Sequence, residues 1–255
     1  MVYLSMLMAL EDERVFCKAL DAAGNALGVE VFSFAYGAEE MPLLAEKIRA
    51  FAGRPMTFHG PMHGVELSQA PLRRAPDAYL RAFSLARQCG ARHMVAHTHE
   101  THVTLEDKAS RMRYCEDNLR LLSREAAEYG VTLCVENVSL PNKGAPLFDE
   151  AEYIALLQRL PQCRALIDVG HVHCTGWNLA RLCQALGERI SGFHLHSNDG
   201  REDAHAWLHE GTLDVSAMLK IVAPYGNRAD LVLEYANTEG KTAEDLLRDV
   251  SLLAM

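Results

Sequence analysis

The chain has 255 residues, of which 49% are hydrophobic and 23% charged, a composition typical of a globular protein with a sizeable buried core. Its formal net charge of −9 gives no sign of the basic surface that nucleic-acid-binding proteins carry, so DNA is not a favoured partner. The apolar start, MVYLSMLMAL, is too short to span a bilayer, and no Lys or Arg precedes it. We therefore expect neither a membrane anchor nor a signal peptide.

Short apolar runs rich in β-branched residues predict strands, and they alternate with longer amphipathic stretches. Most of these runs are apolar at successive positions, as expected for strands that are buried on both faces. Eight strands are predicted, at Val2–Met8, Gly28–Phe34, Met56–His59, His93–His97, Val131–Glu136, Arg164–Asp168, Ile190–His196 and Asp230–Tyr235.

An amphipathic helix is predicted after each strand, at Glu11–Ala26, Glu39–Ala52, Ala75–Cys89, Glu106–Tyr129, Asp149–Leu160, Asn178–Leu186, Val215–Ala223 and Thr242–Leu253. Eight strand–helix units predict an α/β fold, a single (β/α)8 TIM barrel that forms one domain over residues 1–255. A doubly wound open sheet is the alternative, but it normally needs fewer units, and no GxGxxG motif follows the first strand.

The seven cysteines are scattered along the chain, are odd in number and form no CxxC pair. This pattern favours reduced thiols over a disulfide framework and predicts a cytoplasmic protein.

Acidic and histidine side chains end the last six predicted strands. These residues are His59, His97, Glu136, Asp168, His196 and Glu234. The carboxyl ends of barrel strands share one face, where barrel enzymes have their active sites. Any one of these residues is explained as readily by a helix cap or a hydrogen-bonded histidine. Six together favour a metal site, because a carboxylate that ends an apolar strand is costly unless it is paired or bound to a metal.

The donor types indicate which metals to expect. Imidazole and carboxylate together suit zinc, manganese, iron or cobalt. Cysteine is absent from these strand ends, which argues against a closed structural zinc site. The histidine-rich set favours zinc, with manganese as the alternative, and we expect one to three ions.

The stretches VTLCVEN, ALIDVGH, HSND and LVLEYA resemble the xylose isomerase-like TIM barrel superfamily, and within it AP endonuclease family 2, the endonuclease IV type. The resemblance covers nearly the whole chain. It implies one metal held by Glu136, Asp168, His196 and Glu234. His196 is preferred to His194 because His196-Ser-Asn-Asp199 matches the family's H-x-x-[DE] tetrad. His194 points inward by the two-residue strand period as well, so either histidine could be the ligand.

Endonuclease IV-like members hold two further metals. The resemblance implies that one of them is bound by His59, His97 and a bridging Glu136. It implies that the other is bound by His171 of the D-x-x-H pair and by Asp203 and His205 of a D-x-H pair. All nine ligand positions of the family are thus filled, namely His59, His97, Glu136, Asp168, His171, His196, Asp203, His205 and Glu234.

The filled positions lead to the first functional hypothesis, a multinuclear metal-dependent phosphoesterase that acts on a small phosphate ester or phosphodiester. Endonuclease IV uses loops with Arg and Tyr to penetrate DNA. Here the loop GPMHGVELSQAP has no Arg or aromatic wedge, and the loop AYGAEEM offers only Tyr36. A small-molecule substrate is therefore favoured over DNA.

The alternative hypothesis is a mononuclear sugar or sugar-phosphate isomerase or epimerase. In that reaction Glu136 and Glu234 would act as an acid/base pair and His171 would orient the substrate. A non-enzymatic metal binder is a third and weaker hypothesis. The sequence leaves the substrate open, as it does the oligomeric state, for which a homodimer is one alternative.

Overall fold

The computed structural model describes residues 1–10, 12–33 and 39–253. Eight parallel strands pair in chain order, and the last strand pairs with the first, so the sheet closes into a barrel. The predicted fold class, a single (β/α)8 barrel, is confirmed. The strands are β1 (Val2–Ser5), β2 (Leu27–Phe32), β3 (Met56–His59), β4 (His93–Ala96), β5 (Thr132–Glu136), β6 (Arg164–Asp168), β7 (Ile190–Leu195) and β8 (Asp230–Leu233).

Helices follow the strands as predicted, with one addition between β6 and the helix predicted after it. Within the described residues the α-helices are α1 (Arg14–Ala23), α2 (Met41–Arg49), α3 (Asp77–Gln88), α4 (Lys108–Glu128), α5 (Glu150–Arg159), α6 (Val169–Thr175), α7 (Leu179–Leu186), α8 (Val215–Val222) and α9 (Ala243–Leu253). Among these α-helices, the short helix α6 is the one that the sequence did not predict.

The helices form for reasons that the sequence contains. In α4, Leu119, Leu122 and Ala126 recur at helical spacing and are fully buried, which gives the helix one apolar face against the barrel. Helix α5 begins with a capping box, in which Asp149 Oδ1 accepts from the backbone N–H of Glu152 and Glu152 Oε2 accepts from that of Asp149, both at 2.8 Å.

Among the strands, the largest boundary difference is in β1. The predicted strand Val2–Met8 ends at Ser5, where a 3-10 helix, Met6–Ala9, begins. The Ser5 side chain accepts a hydrogen bond from the backbone of this turn, so it ends the strand by capping the helix. The predicted strand end Phe34 and the predicted helix start Glu11 lie outside the described residues.

The barrel interior is apolar directly below three of the predicted ligands, His97, Glu136 and Asp168. Val95, Cys134 and Leu166 form a small buried cluster that is separate from the main core. Each stands two residues before a predicted ligand, and side chains two apart on a strand point to the same side. The ligands therefore face the barrel interior, above an apolar layer. The main core, in contrast, includes apolar side chains of both the strands and the helices.

The structure also bears on the cysteines and on membrane association. All seven cysteines are free thiols. Among the helices of the described residues, none combines the length and the apolar character that a membrane span requires.

Candidate metal centre

The structure brings all nine predicted ligands together at the carboxyl ends of the strands. They form groups in which the donor atoms lie within 4.8 Å of one another. Four groups consist of these residues alone: His59 with His97 and Glu136; His171 with His196, Asp203 and His205; Asp168 with His196 and Glu234; and Glu136 with Asp168 and His171. A fifth group joins Glu234 to Glu30 and His194, which are not among the nine.

A cavity of about 550 Å³ opens above these groups. Seven of the nine residues line it, whereas Asp168 and His196 do not and are fully buried. Two cations, Lys143 and Arg201, also line the cavity. The donors therefore face a space that is large enough for a small substrate.

His59 and His97 approach Glu136 in the same way. The Nδ1 atom of His97 lies 2.6 Å from Glu100 Oε1, and that of His59 lies 3.1 Å from the carbonyl oxygen of Gly60. The opposite Nε2 atoms lie 3.1 and 3.6 Å from Glu136 Oε2. Metal-binding histidines usually have their second ring nitrogen held by a carboxylate or a carbonyl, and both rings meet this condition.

The second group is built around Asp203. Its Oδ2 atom lies 3.1 Å from Nε2 of both His171 and His205. Nδ1 of His205 lies 3.0 Å from the carbonyl oxygen of Glu234, and the His205 ring stacks on His196 at 4.0 Å. His205 has a φ of 44°, a left-handed conformation that is rare outside glycine and recurs at functional sites.

Asp168 acts as a helix cap and as a member of the cluster at once. Its Oδ1 accepts from the backbone N–H of His171 at 2.7 Å and so caps α6, while Oδ2 lies 3.0 Å from His196 Nε2. A Cβ atom at Gly170 would clash with the His196 ring, so the glycine of DVGH lets α6 approach the end of β7. Asp168 can therefore be a helix cap and a metal ligand at the same time.

His194, in β7, and His196, directly after it, both lie close to the central carboxylates. His194 Nδ1 lies 3.0 Å from Glu234 Oε2 and 3.7 Å from both Glu136 Oε2 and Asp168 Oδ2. His196 belongs to two of the donor groups. The choice of His196 as the central ligand stays a prediction.

Several buried donor atoms test whether the site fits a metal. Glu136 Oε2, His171 Nδ1, His194 Nδ1 and Asp203 Oδ1 make no hydrogen bond to the described residues. Buried polar atoms normally have such a partner. Each of them has at least one other donor atom at most 3.7 Å away, close to the ~3.4 Å that separates two ligands of one zinc ion. The donor set therefore fits divalent ions.

The same charges shift the proton affinities of the site. Burial opposes protonation of His97, but the negative charge of Glu136 helps to raise its pKa to about 9. Burial also opposes protonation of His205, and the hydrogen bond to Asp203 helps to raise its pKa to about 9. Without a metal, both imidazoles carry protons at neutral pH. A divalent ion has to displace these protons when it binds.

Four functional candidates escaped the sequence analysis. Glu100 pairs with His97 and also with Lys143, whose Nζ lies 3.0 Å from Glu100 Oε2. Arg201 lies in a loop and carries no distinguishing pattern. Glu30 is fully buried in β2, and its sequence signal is a charge inside the apolar run LGVEVF.

Trp207 is close in sequence to Asp203 and His205 but does not line the cavity. It is buried and stacks on Tyr235 at 4.4 Å. It serves core packing. Tyr36 lies outside the described residues.

A closed (β/α)8 barrel with carboxylates and imidazoles at the carboxyl ends of its strands defines the class of this protein. The family described as xylose isomerase-like TIM barrel matches residues 17–252. The chain therefore belongs to this family, and the resemblance found in the sequence is confirmed.

Known relatives include several enzymes. Inosose isomerase of Bacillus subtilis (strain 168) is 27% identical over 116 residues, which is 43% of this chain and 42% of the relative. The fold is shared with a D-tagatose 3-epimerase-like protein, with a TM-score of 0.75 and 16% identity over 99% of this chain and 98% of that one. It is also shared with AP endonuclease, family 2, from Brucella melitensis, with a TM-score of 0.73 and 19% identity over 98% of both chains. The names of these proteins agree with the prediction that the chain is an enzyme.

Proposed function

We propose that the chain is a metal-dependent phosphoesterase that holds up to three divalent ions and cleaves a small phosphate ester or phosphodiester. The observation that carries this proposal is the overlap of the donor groups. Five residues each belong to two groups, so the groups form one continuous cluster: Glu136, Asp168, His171, His196 and Glu234. A single-metal isomerase or epimerase uses four of the nine donors as ligands and His171 as a substrate contact, which leaves four donors unexplained.

The donor groups suggest how the ions would be divided. His59, His97 and Glu136 would hold one ion, and His171, Asp203 and His205 would hold another. Glu136, Asp168, His196 and Glu234 would hold the ion between them. Bound in this way, divalent ions acidify water and stabilise negative charge on a phosphoryl group. Zinc is the proposed metal because histidine is so frequent among the donors, and manganese is the alternative.

Glu136 is the residue that joins the donor groups. Its Oε2 atom lies 3.1 Å from His97 Nε2, and its Oε1 atom lies 3.2 Å from His171 Nδ1. One carboxylate therefore faces a different histidine with each oxygen. Because the side chain is 1% exposed, its position is fixed by the surrounding residues. This geometry supports a bridging role for Glu136.

The cavity suits an anionic substrate of small size. Lys143 and Arg201 line it, and ammonium and guanidinium groups pair well with phosphate oxygens. Lys143 also contacts Glu100, which restrains the ammonium group near His97. The two cations would bind and orient a phosphate whose reacting bond faces the donor cluster.

A sugar or sugar-phosphate isomerase or epimerase is the second candidate. Glu136 and Glu234 both line the cavity, so each can face the same substrate. One carboxylate would remove a proton from carbon and the other would return it, with His171 holding the substrate. The names of the isomerase and epimerase-like relatives favour this reaction.

Parallel assays of the zinc- or manganese-loaded protein separate the two candidates. Release of phosphate or p-nitrophenol from small phosphate esters measures hydrolysis. Uptake of deuterium from D2O into ketoses or inososes measures proton transfer at carbon. We expect hydrolysis, and we expect His59→Ala and Asp203→Ala each to reduce it at least about 100-fold, because each removes a ligand. Deuterium uptake without hydrolysis would overturn the phosphoesterase proposal in favour of the epimerase.

A further inference from the structure

Glu30 and His194 lie in the barrel interior beside the ligand cluster, and neither reaction above assigns them a role. Both side chains are 0% exposed. They come from β2 and β7, which are not neighbours in the sheet, so they meet across the interior of the barrel. The Nε2 atom of His194 lies 3.1 Å from Glu30 Oε2, a hydrogen bond in which the ring donates to the carboxylate.

The other side of the His194 ring faces the metal-binding carboxylates. Its Nδ1 atom lies 3.0 Å from Glu234 Oε2 and 3.7 Å from both Glu136 Oε2 and Asp168 Oδ2. One imidazole thus contacts three carboxylates that come from β5, β6 and the end of β8. Any rotation of the ring would change all three contacts together.

Glu30 contacts the Nε2 side of this ring. A glutamate inside an apolar strand is rare unless it is paired, because burying a charge is costly. The Oε1 atom of Glu30 has no hydrogen-bond partner among the described residues. Its Oε2 atom accepts the hydrogen bond from His194. The pair is therefore not explained by the stability of β2, where an apolar side chain would fit the pattern.

We propose that Glu30 and His194 are a positioning pair for the central metal. Glu30 orients the His194 ring, and His194 in turn holds Glu234, together with Glu136 and Asp168, in the arrangement that binds the ion. This inference rests on the metal site of the proposed function. It extends that site by two residues that act through the ligands and not on the substrate.

Titration of the metal-free protein with Co²⁺ tests the pair. The visible absorption of bound Co²⁺ reports both affinity and coordination geometry. We expect Glu30→Gln to weaken Co²⁺ binding about 10-fold and Glu30→Leu about 100-fold, since residues that orient metal ligands typically contribute within this range. The absorption band should also change shape, which loss of stability alone does not cause.

Asp249→Asn is the matched control. Asp249 is also a buried carboxylate with a side-chain partner, Tyr235, whose hydroxyl donates to it at 2.7 Å, but it belongs to none of the donor groups. We expect this variant to bind Co²⁺ as the wild type does. Thermal unfolding of all variants shows whether each is folded.

The outcomes separate this inference from the proposed function. If the wild type binds Co²⁺ and folded Glu30→Gln has the same affinity and spectrum, the positioning pair is wrong and the metal site stands. A Glu30→Gln protein that does not fold would also overturn the pair, because Glu30 would then serve folding. If the wild type binds no Co²⁺, the proposed function itself fails.

Discussion

Two donor groups flank the same cavity but are built differently. His59, His97 and Glu136 stand at or next to the ends of β3, β4 and β5, which are consecutive strands of the barrel. His171 lies in the short helix α6, and Asp203 and His205 lie in the connection between β7 and α8. Sheet register positions the first group, whereas local hydrogen bonds have to position the second.

These local hydrogen bonds are visible in the connection after β7. Ser197 and Ala206 exchange two backbone hydrogen bonds of 2.8 Å, and the carbonyl oxygen of His205 accepts from Ala236 at 2.9 Å. Asn198 Nδ2 donates to the carbonyl oxygen of Gly170 at 2.9 Å, which ties the connection to α6. A loop can therefore hold ligands as close together as strands do when hydrogen bonds tie it to the elements on either side.

The largest effect is expected from Glu136→Gln, because Glu136 faces His97 with one oxygen and His171 with the other. Loss of the shared carboxylate should affect both groups and reduce metal-dependent activity more than about 100-fold. Steady-state assays of the metal-loaded protein, with elemental analysis of the same sample, measure both effects. A variant with full activity would contradict both proposed reactions.

His59→Ala and Asp203→Asn should show how many ions each of the two groups binds. Each variant should lose about one ion, because each removes a ligand from one flanking group only. Elemental analysis after removal of free metal measures this. If Asp203→Asn lost every ion, the group of His171, Asp203 and His205 would be required for all metal binding. That result would contradict the claim that the two groups bind their ions independently.

The two groups should respond alike to pH. His97 and His205 each have a pKa of about 9 in the metal-free protein, and an imidazole has to lose its proton before it binds a metal. Affinity should therefore fall as pH falls below 9, by about tenfold per pH unit for each proton displaced. Co²⁺ titrations between pH 6.5 and 9 measure the slope. A flat profile would contradict the assignment of these histidines as ligands.

The smallest effect on metal binding is expected from Glu100→Gln, which changes only the group of His59, His97 and Glu136. Glu100 lies 2.6 Å from His97 Nδ1, so its loss should weaken the ion bound by His97 about 10-fold and leave the ion at Asp203 unchanged. Glu116→Gln is the control, since Glu116 pairs with Arg120 and Arg159 on α4 and α5. Equal binding by the two variants would show that Glu100 does not orient His97.

The comparison also explains what the sequence could predict. Strand ends and the two-residue period were sufficient for His59, His97 and Glu136, because position on a strand determines where a side chain points. Asp203 and His205 came only from the resemblance to a family, since no periodicity applies to a loop. Helix α6 was missed because seven residues with two histidines give no amphipathic pattern.

Residues that support the ligands were harder to predict. Glu100 and Lys143 meet from positions 43 residues apart, and Glu30 meets His194 from 164 residues away. Such pairs exist only once the barrel has closed. A buried charge in β2 was the one local sign of the second pair, and the sequence alone did not give its partner.

Metal content tests the central claim most directly. The protein would be purified without chelator, re-equilibrated with zinc, freed of unbound metal and subjected to elemental analysis. The overlapping donor groups predict about three ions per chain. One ion per chain would contradict the multinuclear site and favour the epimerase, and no bound ion would contradict the metal centre altogether.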